Sequence, residues 1–176
     1  MIEGEFNMKK TLIVIDMQND FVTGTLANPA AQAIIPNIKR KIEEYKREGN
    51  EIIFTRDTHN TDYLNTPEGK CLPVSHCING TWGWLVIDEL NYPGYHHINK
   101  TTFGYPHWEY EDDFEEIELV GTCTDICVVS NALILKAQFP NANITVDASC
   151  CAGVTPESHQ AALTTMKMCQ INVIGE

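Results

Sequence analysis

The chain has 176 residues, 43% hydrophobic and 20% charged, with a formal net charge of −12. Such a length buries one core without needing a second domain, and residues 9–176 are expected to form that single domain. The acidity disfavours nucleic acid and anionic membrane, which bind through clustered Lys and Arg, and no apolar run approaches the ~20 residues of a bilayer span.

Residues 1–8 carry no pattern and are expected to be a flexible leader or an expression remnant. Thr11-Leu12-Ile13-Val14-Ile15 is a strand running into Asp16. Residues 29–48 predict a helix with Ile34, Ile35, Ile38, Ile42 and Tyr45 on one face, Gly49-Asn50 as its stop, and Pro36 as a defect that kinks or shortens it. Residues 51–56 form the second strand. Residues 57–91 exceed ordinary loop length, which marks a functional insertion, and Trp82 and Trp84 within it are expected to pack a short helix against a lid or a subunit neighbour. Further strands follow at 95–99, 116–120, 143–146 and 171–174. Helices are expected at 124–138, capped by Thr124, and at 156–169, opened by Thr155-Pro156. The acidic run 109–118, with Asp112, Asp113, Glu115 and Glu116, suits a solvated surface turn.

This βα alternation, with strands apolar on both faces, predicts an α/β fold: three α/β/α layers around a six-stranded, mostly parallel, Rossmann-like sheet. Ligands of such sheets sit beyond the carboxyl ends of the strands, where strand order reverses. Asp16, Asp57 and Lys100 end strands one, two and three, and Cys127 follows strand four. An acid, a cation and a thiol are the parts of a nucleophilic hydrolase. In the first turn of a helix, Cys127 would be favoured as a thiolate. Asp57 and His59, two apart in extended backbone, face the same way and can grip one cation with His76 returning from the far end of the insertion. A dinucleotide site is excluded because Asp16-Met17-Gln18-Asn19-Asp20 has no glycine for close pyrophosphate approach.

Val14-Ile15-Asp16-Met17-Gln18-Asn19-Asp20-Phe21, Thr55-Arg56-Asp57-Thr58-His59, His76-Cys77-Ile78-Asn79-Gly80-Thr81, Lys100 and Gly121-Thr122-Cys123-Thr124-Asp125-Ile126-Cys127 occur in an order and spacing that resembles the isochorismatase-like cysteine hydrolases, above all their nicotinamidase/pyrazinamidase branch. The resemblance implies the isochorismatase-like hydrolase fold, with Asp16 as acid/base, Cys127 as nucleophile and Lys100 beside them. It also implies a cis Thr122–Cys123 peptide, an oxyanion hole from the backbone N–H groups of Cys123 and Cys127, and a homo-oligomer. The implied reaction hydrolyses a small-molecule amide, nicotinamide to nicotinate and ammonia, through a Cys thioester. Asp57, His59 and His76 would hold a divalent metal, Zn ahead of Fe or Mn. Two features depart from the family pattern. Leu72-Pro73-Val74-Ser75 precedes His76 where an aromatic residue is usual, leaving Phe21 to supply a pocket wall. The Glu68-Gly69-Lys70 insertion is unusual; Glu68 suits a surface acid, although some members place an acid near the metal here.

Two rival functions stand beside this one. Another family amidase or ureidohydrolase, acting on a different small amide, would keep Asp16, Lys100 and Cys127 and need no metal. A non-enzymatic Zn-binding protein would draw on Cys71, Cys77, Cys123 and Cys127, whose spacing fits zinc ribbons poorly. Seven Cys, an odd number in a chain with no secretory signal, predict free thiols and a cytoplasmic location. His96, His97, His107 and His159 are expected to be structural, and Cys150, Cys151 and Cys169 to be packing residues.

Overall fold

Alternation along the first strand sets the architecture. In the computed structural model, which describes residues 10–111 and 114–176, Leu12 and Val14 point to one side of a sheet and Ile13 and Ile15 to the other. All four are fully buried because helices cover both faces. The leader at 1–8 and the acidic pair Asp112 and Asp113 lie outside the described residues.

The strands are β1 (Lys10–Ile15), β2 (Glu51–Asp57), β3 (His96–Lys100), β4 (Glu116–Thr122), β5 (Asn143–Ala152) and β6 (Asn172–Ile174). They lie in the order β3-β2-β1-β4-β5-β6, and every pairing is parallel. The chain steps outward from β1 through β2 to β3, then returns to the other side of β1 for β4. The direction of winding therefore reverses between β1 and β4, which is where a crevice opens at the carboxyl ends.

The helices are α1 (Asn19–Val22), α2 (Pro29–Arg47), α3 (Pro67–Cys71), α4 (Val129–Gln138) and α5 (Pro156–Met168). Asn28 caps α2 by accepting the Ala30 N–H at 2.9 Å, with Pro29 in the first turn. Ala31, Ile34, Ile38, Ile42 and Tyr45 of α2 pack on the Leu12/Val14 face, with Ile35 half-buried beside them. Pro36 does not end α2; it sits exposed within a continuous helix. Ala132 and Leu135 of α4, with Leu163 and Met166 of α5, cover the opposite face. No helix among the described residues is long and apolar enough to cross a membrane.

β5 and the acidic run differ from expectation. β5 continues past Val146 to Ala152 through polar positions, because Asp147 and Ser149 find partners on α2: Lys41 reaches Asp147 at 2.8 Å and the Asn37 amide donates to the Ser149 carbonyl at 2.7 Å. The acidic run is a turn only in part. Glu109 and Glu115 are exposed, whereas Glu116 opens β4 and Glu118, within it, pairs with Lys41 at 2.8 Å and accepts the Tyr45 hydroxyl at 2.7 Å.

Candidate active site

Asp16 leaves β1 in a left-handed conformation, φ 48°, and is fully buried. Thr55 of β2 fixes its carboxylate by donating to Oδ1 at 2.7 Å and accepting the Asp16 N–H at 3.2 Å. Lys100, the last residue of β3, brings its ammonium to 2.7 Å from Asp16 Oδ2, 3.3 Å from Asp57 Oδ1 and 3.5 Å from Cys127 Sγ. Its remaining contact is the Thr102 carbonyl at 3.2 Å. Burial works against this ammonium, yet Asp16, Cys127 and Asp57 hold its pKa well above the ordinary lysine value. One buried cation thus touches the acid and the thiol together.

Cys127 reaches this group from a single π-helical turn, Thr124–Val128, rather than from the first turn of an α-helix. Ile126 and Val128 both donate to the Cys123 carbonyl at 3.1 Å, so Cys123 occupies the cap position and the expected capping by Thr124 is not made. The Thr124 hydroxyl is engaged instead by His159 Nδ1 at 2.8 Å. The Thr122–Cys123 peptide is cis. Upstream, Gly121 has φ 121°, and a Cβ there would lie 2.1 Å from the Ile15 carbonyl, so only glycine lets β4 approach β1 so closely. Burial pushes the Cys127 thiol well above its ordinary pKa; Lys100 opposes this, while Asp16 and Asp57 add to it. Burial and the two carboxylates thus work against the thiolate that a helix N-terminus would favour. Burial likewise raises the Asp16 carboxyl, against the pull of Lys100.

The start of the 57–91 insertion is stitched to residues 77–79 within it. His59 N–H donates to the Cys77 carbonyl at 3.0 Å and Asn79 N–H to the His59 carbonyl at 2.9 Å. His76 is thereby returned beside Asp57. Asp57 Oδ2 lies 2.9 Å from His59 Nε2 and 3.7 Å from His76 Nε2, and Glu68 Oε1 lies 3.5 Å from His59 Nε2. One ligand atom from each of these four residues falls within 4.8 Å of all the others. His76 donates Nδ1–H to the Val74 carbonyl at 2.8 Å, which leaves Nε2 facing the cluster, as a ligating imidazole requires. Burial alone would raise Asp57, but His59, His76 and Lys100 hold it far below the carboxylate range. Two imidazoles and two carboxylates so arranged can hold a divalent metal. Glu68 is not a free surface acid: Thr66 caps α3 by accepting the Gly69 N–H at 3.0 Å, and that short helix aims Glu68 inward. Among the described residues this is the one such cluster and it contains no thiol, so Cys71, Cys77, Cys123 and Cys127 do not assemble a zinc site.

Both groups open onto a cavity of about 440 Å³. Cys123 and Cys127 line it together with Asp57, Glu68 and His76, and Phe21, Leu26, Leu72, Phe103, Ile126 and Val154 supply apolar walls. Phe21 lies against His76 with ring centroids 5.5 Å apart. The space suits a small, mostly apolar ligand with one polar end.

Gln18 and Asp20, given no role above, hold the site's backbone. Gln18 donates to the carbonyls of Asp57 and Trp84, each at 2.9 Å, and accepts the Asp57 N–H at 2.7 Å. Asp20 accepts the Cys77 N–H at 2.8 Å. Their signal in sequence was polar character in a segment continuing a buried strand. Of the other histidines, His97 stacks on Phe54, His96 pairs with Glu111, and His107 is exposed with Glu109 nearby. Cys150 and Cys151 are buried, but Cys169 is exposed rather than packed. Trp82 is also exposed, at 60%, while Trp84 packs under Arg56 and donates to Thr58.

Residues 10–175 match the Isochorismatase domain family. The chain is 24% identical to a nicotinamidase of Saccharomyces cerevisiae, over 95% of its own length and all of the relative's. It superposes on a nicotinamidase/pyrazinamidase from Bacillus subtilis with a TM-score of 0.84 and 28% identity, covering 95% of this chain and 100% of the other. An N-carbamoylsarcosine amidase from Thermoplasma acidophilum superposes with a TM-score of 0.78 and 25% identity, over 95% and 96% of the two chains. The chain therefore belongs to the isochorismatase family, in its nicotinamidase/pyrazinamidase branch, and is a cysteine-hydrolase amidase of that type.

Proposed function

We propose that the protein hydrolyses nicotinamide to nicotinate and ammonia through a thioester on Cys127. The observation that carries this reading is the Lys100 ammonium, in contact with Asp16 and Cys127 Sγ and, through Asp57, with the four-donor cluster on the same cavity.

Nucleophilic attack begins as the buried Asp16 takes the Cys127 proton. Lys100 offsets the charge that moves onto sulfur while keeping Asp16 oriented. The thiolate attacks the carboxamide carbon, and the oxyanion is met by the N–H groups of Cys123 and Cys127. Asp16 returns the proton to nitrogen as the C–N bond breaks, releasing ammonia and leaving the acyl group on sulfur. Asp16 then draws a proton from water, which attacks the thioester; nicotinate leaves and Cys127 regains its thiol. Phe21 and the apolar walls hold the ring and exclude bulk water. Asp57, His59, His76 and Glu68 would hold a divalent metal, Zn ahead of Fe or Mn, which would supply Lewis-acid chemistry at the polar end of the cavity.

The alternative, an amidase acting on another small amide, would use Asp16, Lys100 and Cys127 but leave the metal cluster without a task. Ammonia release from nicotinamide by the zinc-loaded protein, with Cys127→Ala as control, separates the two. Turnover lost in the variant supports the proposal. Absence of wild-type turnover, with a Cys127 that still alkylates, moves the substrate to other small amides.

A further inference from the structure

Asn131 lies on α4, one turn beyond Cys127, and is fully buried. Its amide donates to the Cys127 carbonyl at 2.8 Å and to the Phe103 carbonyl at 3.2 Å. Its oxygen accepts the Tyr105 N–H at 2.9 Å and the Trp108 indole N–H at 3.2 Å. All four hydrogen-bonding positions of the side chain are therefore filled, one by the nucleophile's residue and three by the strap that follows Lys100. That strap supplies the Thr102 carbonyl to the Lys100 ammonium and the Phe103 ring to the cavity wall. It lies directly on α4: a Cβ at Gly104 would come within 2.4 Å of Ile134 and 3.3 Å of Ser130.

We propose that Asn131 is a positioning residue for the hydrolysis, locking the π-turn that carries Cys127 to the strap that completes the Lys100 site. The inference rests on reading Cys127 as the nucleophile. A π-turn leaves its carbonyls out of α-helical register, and a buried carbonyl must find a donor. The Asn131 amide supplies a side-chain donor to the Cys127 carbonyl, so that Cys127 and Lys100 keep one relative placement; small displacements of a nucleophile cost rate steeply.

Two variants separate positioning from general support of the core. Asn131→Leu removes both donors and both acceptors, with Asn131→Ala as the substitute if the leucine does not fold. Trp108→Phe removes one partner from the acceptor side and leaves the bond to Cys127. For variants with cooperative urea unfolding, the Asn131 substitution is expected to lower kcat about tenfold or more with KM within about threefold. Alkylation of Cys127 by iodoacetamide, followed on its own peptide, should slow in parallel. Trp108→Phe should lose stability yet keep kcat and the alkylation rate within about twofold. Wild-type kcat and alkylation in the Asn131 variant would overturn the proposal, as would equal losses in the Trp108 variant. The alkylation readout needs no amide, so the proposal is tested even if nicotinamide is not the substrate.

Discussion

Replacing Lys100 with Met removes the cation from a site whose carboxylates have almost no access to water: Asp16 is 0% and Asp57 2% exposed. At the observed 2.7 Å, the Lys100–Asp16 attraction is about 6 kcal/mol at an effective dielectric constant of ~20. The gross figure is offset by the desolvation of both ions, so the measurable quantity is the loss on breaking a buried pair, about 3–5 kcal/mol. The loss should depend on pH. Without Lys100 the Asp16 carboxyl rises further above its unfolded value of about 3.9. A carboxyl raised in the folded state contributes most below the unfolded pKa and loses that contribution as pH rises through the folded one. The deficit of Lys100→Met relative to wild type should therefore be larger at pH 8 than at pH 5, by up to about 1.4 kcal/mol per unit of pKa shift. Urea unfolding of the two metal-free proteins, followed by far-UV circular dichroism at both pH values, measures it. A deficit below about 1 kcal/mol, or one equal at both pH values, would refute the assignment of Lys100 as the counter-ion of a buried acid.

Asp147 is held below its ordinary range because hydrogen bonds from Lys41 and Ser149 outweigh its burial. Its contribution is complete above the unfolded pKa and fades as pH falls through the lower folded value, so Asp147→Asn should flatten the fall of the urea midpoint below about pH 4. Gly83→Ala would place a Cβ 2.1 Å from Asp20 Oδ2 and push that carboxylate off the Cys77 N–H, next to His76. Calorimetric zinc affinity should drop by about 10- to 100-fold, as for loss of other supports behind metal ligands. Chelation should abolish turnover while leaving cooperative unfolding in place, since none of the four cluster residues belongs to either hydrophobic core; restoration by zinc completes the check.

The sheet was legible because its strands are short apolar runs whose flanking residues alternate with helical segments, as around Leu12-Ile13-Val14-Ile15. Asp16, Asp57, Lys100 and Cys127 could be picked out because strand ends on one edge of a parallel sheet converge. Tertiary partners hid the remainder. Asp147 and Ser149 broke the apolar run of β5, and their partners Lys41 and Asn37 on α2, with the hydrogen bonds between the two residues themselves, make them acceptable within a strand. The π-turn at Thr124–Val128 has no signature in residue type, because its register depends on which donors reach Cys123. The push of burial on the Cys127 thiol was hidden for a related reason: helix-terminus reasoning counts the dipole but not burial beside Asp16 and Asp57. Glu68 looked superficial because its direction is set by the Thr66 cap of a five-residue helix.

The thioester is the claim on which the rest depends. Zinc-loaded protein turning over nicotinamide, quenched in acid within one turnover, should carry the mass of one nicotinoyl group on the peptide containing Cys127, and Cys127→Ala should carry none and release no ammonia. Ammonia release by Cys127→Ala at the wild-type rate, or full wild-type turnover with no acyl group ever trapped on that peptide, would contradict the account.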